Sequence, residues 1–233
     1  MNFLTNWIAK FSETMIENDR YLMIFEGLGN TVKITLGALV IGVVIGLIIA
    51  VTKYLAEDSR VLKPLAKLCD LYVTVIRGIP VVVLLLIFYY VIMRSSRNGV
   101  LVAVITFGVN SGAYMAELIR SGINAVDKGQ MEAGRCLGLS KLQTMRHIIL
   151  PQAVRYVLPA VGNELIALLK ETSVAGYVAI RDLTKAGDLI RNNTYDMVNP
   201  LLVVTLCYLT MVIGLTALLG KLEKNLAKEK KKK

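Results

Sequence analysis

Glu164 sits inside an apolar run with Asn163 beside it, and Tyr114, Thr172 and Ser173 lie in or next to other apolar runs. Side chains of these types recognise molecules rather than break bonds. A carboxylate accepts hydrogen bonds, hydroxyls donate and accept, and an amide does both. An ionisable group at membrane depth is costly enough that its default reading is functional. A second polar group is Glu132-Ala133-Gly134-Arg135-Cys136-Leu137-Gly138, followed across a charged spacer by Ile148-Ile149-Leu150-Pro151. Glu132 and Arg135 can form charge-assisted hydrogen bonds with a docking partner, and the small Ala133 and Gly134 would let such a knob seat deeply. Bond-making chemistry is not expected. The one histidine, His147, has no Ser, Cys or carboxylate constellation around it, and Cys69, Cys136 and Cys207 lack ligand spacing, so no catalytic residue and no metal site is assigned. No G-x-x-x-x-G-K-[ST] phosphate loop occurs, so ATP chemistry requires another chain.

The elements that must position these groups are membrane helices. Of 233 residues, 55% are hydrophobic, too many for an ordinary soluble domain. Such a chain has room for roughly 5 or 6 spans of about 20 residues. Expected spans cover about 31–54, 71–93, 99–120, 154–172 and 198–220. The first carries Ala38, Gly42, Gly46 and Ala50 every four residues, a small-residue ridge that admits a neighbouring helix closely, and the third repeats the interval with Gly108, Gly112 and Ala116. In the second, Pro80 of Arg77-Gly78-Ile79-Pro80 is expected to kink the helix or begin it. Residues 1–27 read as an amphipathic segment at the membrane surface, 28–220 as the spanning domain, and 221–233 as a basic tail.

Lysine and arginine outnumber acids 27 to 17, yet this excess does not point to nucleic acid. The cations fall between apolar runs and in the tail, the pattern of loops held on the inner side of a membrane. Lys53, Arg60, Lys63, Lys67 and Arg77 share the rich side with segment 122–151 and the tail, which places the N-terminus outside and the C-terminus inside. Within 122–151, Asp127 and Gln130 open a short helix and Gly138 ends it in a left-handed conformation. Ser140 with Gln143 forms a capping box that opens a second helix, with Leu142, Met145 and Ile149 on one face, and Leu150-Pro151 closes it.

The stretch from Glu132 to Pro151 resembles the cytoplasmic coupling loop of ABC-importer permeases, patterned E-A-A, a glycine after three further residues, then I-x-L-P. Glu132, Ala133, Gly138, Ile148, Leu150 and Pro151 match, and Gly134 stands for the second alanine. Arg77-Gly78-Ile79-Pro80, the run from Ser111 to Arg120, and Asn163-Glu164 with Lys170-Glu171-Thr172-Ser173 look like the polar-amino-acid branch of that family. The resemblance spans about residues 28–220. It implies an all-α type I ABC-importer permease of about five transmembrane helices, in a bacterial-type cytoplasmic membrane. Two permease chains, identical or paralogous, would each form half of a translocation path.

The implied partners are a dimer of ATP-binding subunits, which would hold ATP and magnesium, and an extracytoplasmic amino-acid-binding protein. This chain would bind no cofactor itself. Glu132, Ala133, Gly134, Arg135, Gly138, Leu150 and Pro151 would couple to the ATPase. A zwitterionic cargo needs a donor for its carboxylate and an acceptor for its ammonium, which Tyr114, Asn163, Glu164, Thr172 and Ser173 offer. Glu164 either meets that ammonium or forms a salt bridge to Arg155 or Lys170. Tyr114 either binds or packs between helices, and Thr172 and Ser173 either bind or cap the next helix, with Arg181-Asp182 as a later turn. A basic amino acid, cystine and glutamine are all open as cargo. A permease for a quaternary ammonium solute would want an aromatic cage that the few spanning aromatics do not supply. A passive channel or scaffold would leave the knob unexplained.

Overall fold

The computed structural model describes residues 3–57 and 59–231. Met1 and Asn2 of the expected N-terminal segment and Lys232 and Lys233 of the tail lie outside the described residues, as does Asp58. Helices make up the regular structure, and no strand occurs among the described residues. In the first, α1 (Phe3–Met15), Phe11 and Met15 turn inward while Trp7 and Ile8 stay exposed. Asn18 and Asp19 then take positive φ, which these residue types tolerate best after glycine, and the chain turns into the long helix α2 (Tyr21–Ala56). That helix starts well before residue 31, so the expected surface segment contributes its last residues to the first long helix.

Of the two expectations for Pro80 in the second span, the structure has the second: a new helix begins after it. Helix α3 (Lys63–Gly78) stops at Ile79, and α4 (Val81–Ile87) restarts after Pro80 and loosens into a π turn over Phe88–Ile92. The two parts are bent by 107°. Pro80 is the cause: it lacks an N–H and drives the residue before it out of helical space, and Ile79 sits at φ −99°, ψ 128°. Helix α5 (Gly99–Asn124) follows, then the short α6 (Lys128–Cys136) and α7 (Lys141–Thr144). Helix α8 (Leu150–Glu171) passes into a 3-10 turn over Thr172–Val178, before α9 (Leu183–Thr194) and α10 (Asn199–Lys231). The fifth expected span therefore runs on without a break into the basic tail.

Among the described residues, three helices have the length and apolarity to cross a membrane, over Glu17–Ala56, Gly99–Asn124 and Asn199–Leu226, and the bent α3–α4 pair makes a fourth if it counts as one. With 22 residues α8 is long enough, about 33 Å, but it carries Arg155, Glu164, Lys170 and Glu171.

The chain divides into two compact units, one of residues 1–38, 80–107 and 167–215, the other of 39–79, 108–166 and 216–233. In the first, Met15, Ile24, Leu183, Ala186, Ile190 and Val204 form the core. Asp182 caps α9, accepting from Thr184 N (3.1 Å) and Lys185 N (2.9 Å), so the cap of this helix is neither Thr172 nor Ser173. In the second unit α2 and α5 press glycine against side chain from both directions. A β-carbon on Gly42 would lie 2.7 Å from Ser111 Oγ, and one on Gly46 2.5 Å from Met115 Cβ. Reciprocally, β-carbons on Gly108 and Gly112 would lie 2.7 Å from the side chains of Ile41 and Ile45. Both expected ridges thus meet in one seam, where van der Waals contact holds helices that lipid does not drive together.

Candidate functional site

The knob between α5 and α8 is built by its caps. Asp127 Oδ1 accepts from Gly129 N at 2.7 Å and starts α6. Gly138, at φ +85°, ends it, and the Gly138 and Leu139 amides donate to Arg135 O and Gly134 O. The expected capping box then opens α7: Gln143 N donates to Ser140 Oγ (3.2 Å) and Ser140 N to Gln143 Oε1 (2.8 Å). Leu150-Pro151 does not close this element. A π turn over Met145–Ile149 widens the helix there, Leu150 N reaches Met145 O, and the chain runs straight into α8. The wider turn makes room for the proline ring, which would otherwise strike the preceding turn.

Gly134 is small for a reason inside the knob. A β-carbon there would lie 2.5 Å from Thr144 Cγ2 and 3.2 Å from Ile148 Cδ1, so its size lets α6 pack closely against α7. Arg135 donates to Leu139 O at 3.0 Å and braces the bend. Left facing outward are Glu132, Ala133, Cys136 and Leu137, the last 81% exposed. Leu142 also faces out, unlike Met145 and Ile149, which are buried with Val126 and Ala153 against Tyr54, Ile123, Met131 and Ile148. Lys141 adds a tether to α2, 3.0 Å from Glu57 and 5.0 Å above the Tyr54 ring. The knob is therefore clamped to the ends of α2, α5 and α8.

At mid-helix, the second unit gathers polar groups along one face of α5. Ser111 Oγ donates to Glu164 Oε1 at 2.8 Å, and Tyr114, one turn further along, lies under the Arg77 guanidinium at 5.2 Å. Tyr72 donates to Val109 O at 2.6 Å. Glu164 thus takes the Ser111 hydroxyl as its partner, and the half-buried Tyr114 is engaged by a cation. Asn163 is exposed beside them. Two members of this string, Ser111 and Arg77, were not among the sequence candidates. By sequence Arg77 groups with the inner-side loop charges, yet its guanidinium stacks halfway along α5, over Tyr114.

Thr172 and Ser173 belong to the first unit, in the 3-10 turn after α8. Thr172 is fully buried and donates to Leu169 O at 2.8 Å. In the same unit, the pKa values of two buried carboxylates are shifted in opposite directions. Burial raises Asp182 above the usual carboxylate range, against the pull of the Lys185 and Thr184 amides. Burial also raises Asp196, but hydrogen bonds from Thr14 (2.8 Å), Asn199 (2.6 Å) and the Val198 and Asn199 amides outweigh it and hold its carboxyl low.

Residues 42–228 match the sequence profile of the family described as binding-protein-dependent transport system inner membrane component. The putative glutamine transport system permease protein GlnP of Rickettsia bellii is 36% identical over 223 residues, 94% of this chain and 97% of that protein. The arginine transport system permease protein ArtQ of Bacillus subtilis is 34% identical over 206 residues, 87% of this chain and 92% of that one. Among solved structures, an amino acid ABC transporter crystallised with histidines superposes with a TM-score of 0.82 at 36% identity, over 97% of this chain and 99% of that one. An inward-facing methionine ABC transporter shares the fold, with a TM-score of 0.77 at 20% identity over 90% of this chain and 99% of that one.

Proposed function

The chain belongs to the family of inner membrane components of binding-protein-dependent transport systems, and from that premise we propose that it is the membrane subunit of an ATP-driven amino-acid importer. It lies in the bacterial cytoplasmic membrane as a multi-pass helical protein. Relatives named for glutamine and arginine transport, matched over nearly their whole length, support an amino acid as cargo. A second permease chain, identical or paralogous, completes the path, and an extracytoplasmic binding protein delivers the cargo. With α8 and the bent α3–α4 pair as the crossings beyond the three apolar helices, the chain crosses five times, N-terminus outside, and the knob faces the cytoplasm.

The observation that carries the coupling role is the clamped knob. Its outward Glu132, Ala133 and Leu137 offer a face to an ATP-binding subunit, and Gly134, Arg135 and Gly138 hold that face in shape. ATP and magnesium belong to that partner. Leu150 and Pro151 continue the knob into α8, so a displacement of α6 passes along α8 toward Glu164 and switches the path between inward- and outward-facing states.

For the cargo, Arg77 and Glu164 supply the two charges that a zwitterion's carboxylate and ammonium require. Ser111, Tyr114 and Asn163, in the same unit, add hydrogen bonds. Uptake of labelled arginine and glutamine by vesicles containing the complete transporter tests this reading. It predicts ATP-dependent uptake, and at least a tenfold loss for Glu164→Gln, because removing one partner of a desolvated charge pair costs about 2 kcal/mol or more. Uptake that persists without ATP would make the chain a passive channel, and an unaltered E164Q variant would remove Glu164 from the path.

A further inference from the structure

Two cavities in the second unit are each lined in part by α2 and α3. The first, of about 480 Å³, is ringed by Lys53, Lys63, Lys67 and Arg120 against only Glu57 and Asp70. The second, of about 540 Å³, is lined by Ile49, Leu68, Cys69, Leu71, Tyr72 and Val75. Several of the charges at the first are already matched. Lys53 holds Asp70 at 2.5 Å, Arg120 holds Glu117 at 2.6 Å, and Glu57 is held by Lys141 at 3.0 Å. Lys63 and Lys67 make no ion pair among the described residues and are exposed, so they carry the surplus.

The order of these residues along the helices is the second observation. On α2 the apolar Ile49 comes one turn before Lys53. On α3, Lys63 and Lys67 come first and Leu68, Leu71 and Val75 follow. Both helices therefore pass from charge to hydrocarbon in the same direction, from the loop that joins them into the span. A free anion would use only the charged end. A molecule with an anionic head and an alkyl tail uses both.

We propose that the two cavities hold one anionic phospholipid, its phosphate between Lys63, Lys67 and the rim of Arg120, and an acyl chain along Leu68, Leu71 and Val75. Bound there, it bridges the α2–α3 loop to the end of α5, next to the Tyr54 and Lys141 contacts that tether the knob. The site depends on the chain spanning a membrane but not on the cargo or the ATPase, so it stands or falls separately from the transport reading.

The test is native mass spectrometry of the purified chain in detergent, stripped of lipid and then given phosphatidylglycerol, phosphatidylcholine with the same acyl chains, or inorganic phosphate. Phosphatidylglycerol is expected to be retained about tenfold better than phosphatidylcholine, and a Lys63→Gln, Lys67→Gln double variant to abolish that preference, since those two lysines supply the attraction for the net negative headgroup. Val75→Trp, which fills the apolar groove, is expected to lower retention of both lipids. Lys221→Gln with Lys224→Gln, in the tail, is expected to change neither. Equal retention of the two lipids overturns the proposal, as does a preference lost with the tail lysines instead. Full competition by inorganic phosphate would make the site one for free phosphate. A two-chain species without lipid would assign the groove to a second copy.

Discussion

The α2–α5 seam and the α6–α7 knob both use glycines four residues apart, Gly42 and Gly46 in one and Gly134 and Gly138 in the other. In the seam the two do the same work: each lies flush against a side chain of α5 with no room for a methyl group. In the knob they differ. Gly134 is a close-approach glycine against Thr144, whereas Gly138 has open space where its β-carbon would be and is held instead by its φ of +85°. Equal spacing thus hides two constraints, one of volume and one of backbone conformation. Only the first extends along a helix.

The contrast can be broken from the seam outward. Gly46→Leu should have the largest effect, about 3 kcal/mol or more, because its β-carbon meets Met115 and the Ala116 backbone and neither helix can yield. Thermal unfolding in detergent should show it, with Gly214→Leu, at a glycine that has nothing within 4 Å, unfolding like the parent. Gly134→Val should cost about 1–3 kcal/mol but locally. The seam should melt as before while proteolysis within 128–149 accelerates. Gly138→Val should cost about 1–2 kcal/mol through left-handed strain, and Gly138→Asn much less, a ranking that a packing role would not produce. Ser140→Ala should remove about 1 kcal/mol by deleting one half of the capping box, read as faster amide exchange at Gln143.

What could be read in advance follows the same division. Caps and left-handed glycines act within a few residues, so Asp127, Gly138 and the Ser140–Gln143 box stood in the sequence where the structure has them. The small-residue ridges were legible because their period matches the helix. Contacts between distant segments were not. Ser111 and Glu164 are 53 positions apart, and nothing in either run announces the pair. Arg77 reads as a loop charge until its stacking on Tyr114 is seen. Pro80 signalled a break but not its 107° angle, and Pro151 reads as a stop because a π turn that accommodates it leaves no mark in composition. The packing of Gly134 on Thr144 is hidden for a related reason: a small residue on an exposed short helix looks the same whether it faces a partner or its own neighbour.

Affinity purification of the chain from its native membrane in mild detergent, with identification of what accompanies it, bears most directly on the knob as a coupling element. An ATP-binding subunit should be recovered with the unaltered chain and lost with Glu132→Arg and Leu137→Asp, both of which should leave the thermal melt unchanged because those side chains face outward. A folded preparation that brings no ATP-binding subunit, or one that keeps it undiminished with both substitutions, would contradict the account.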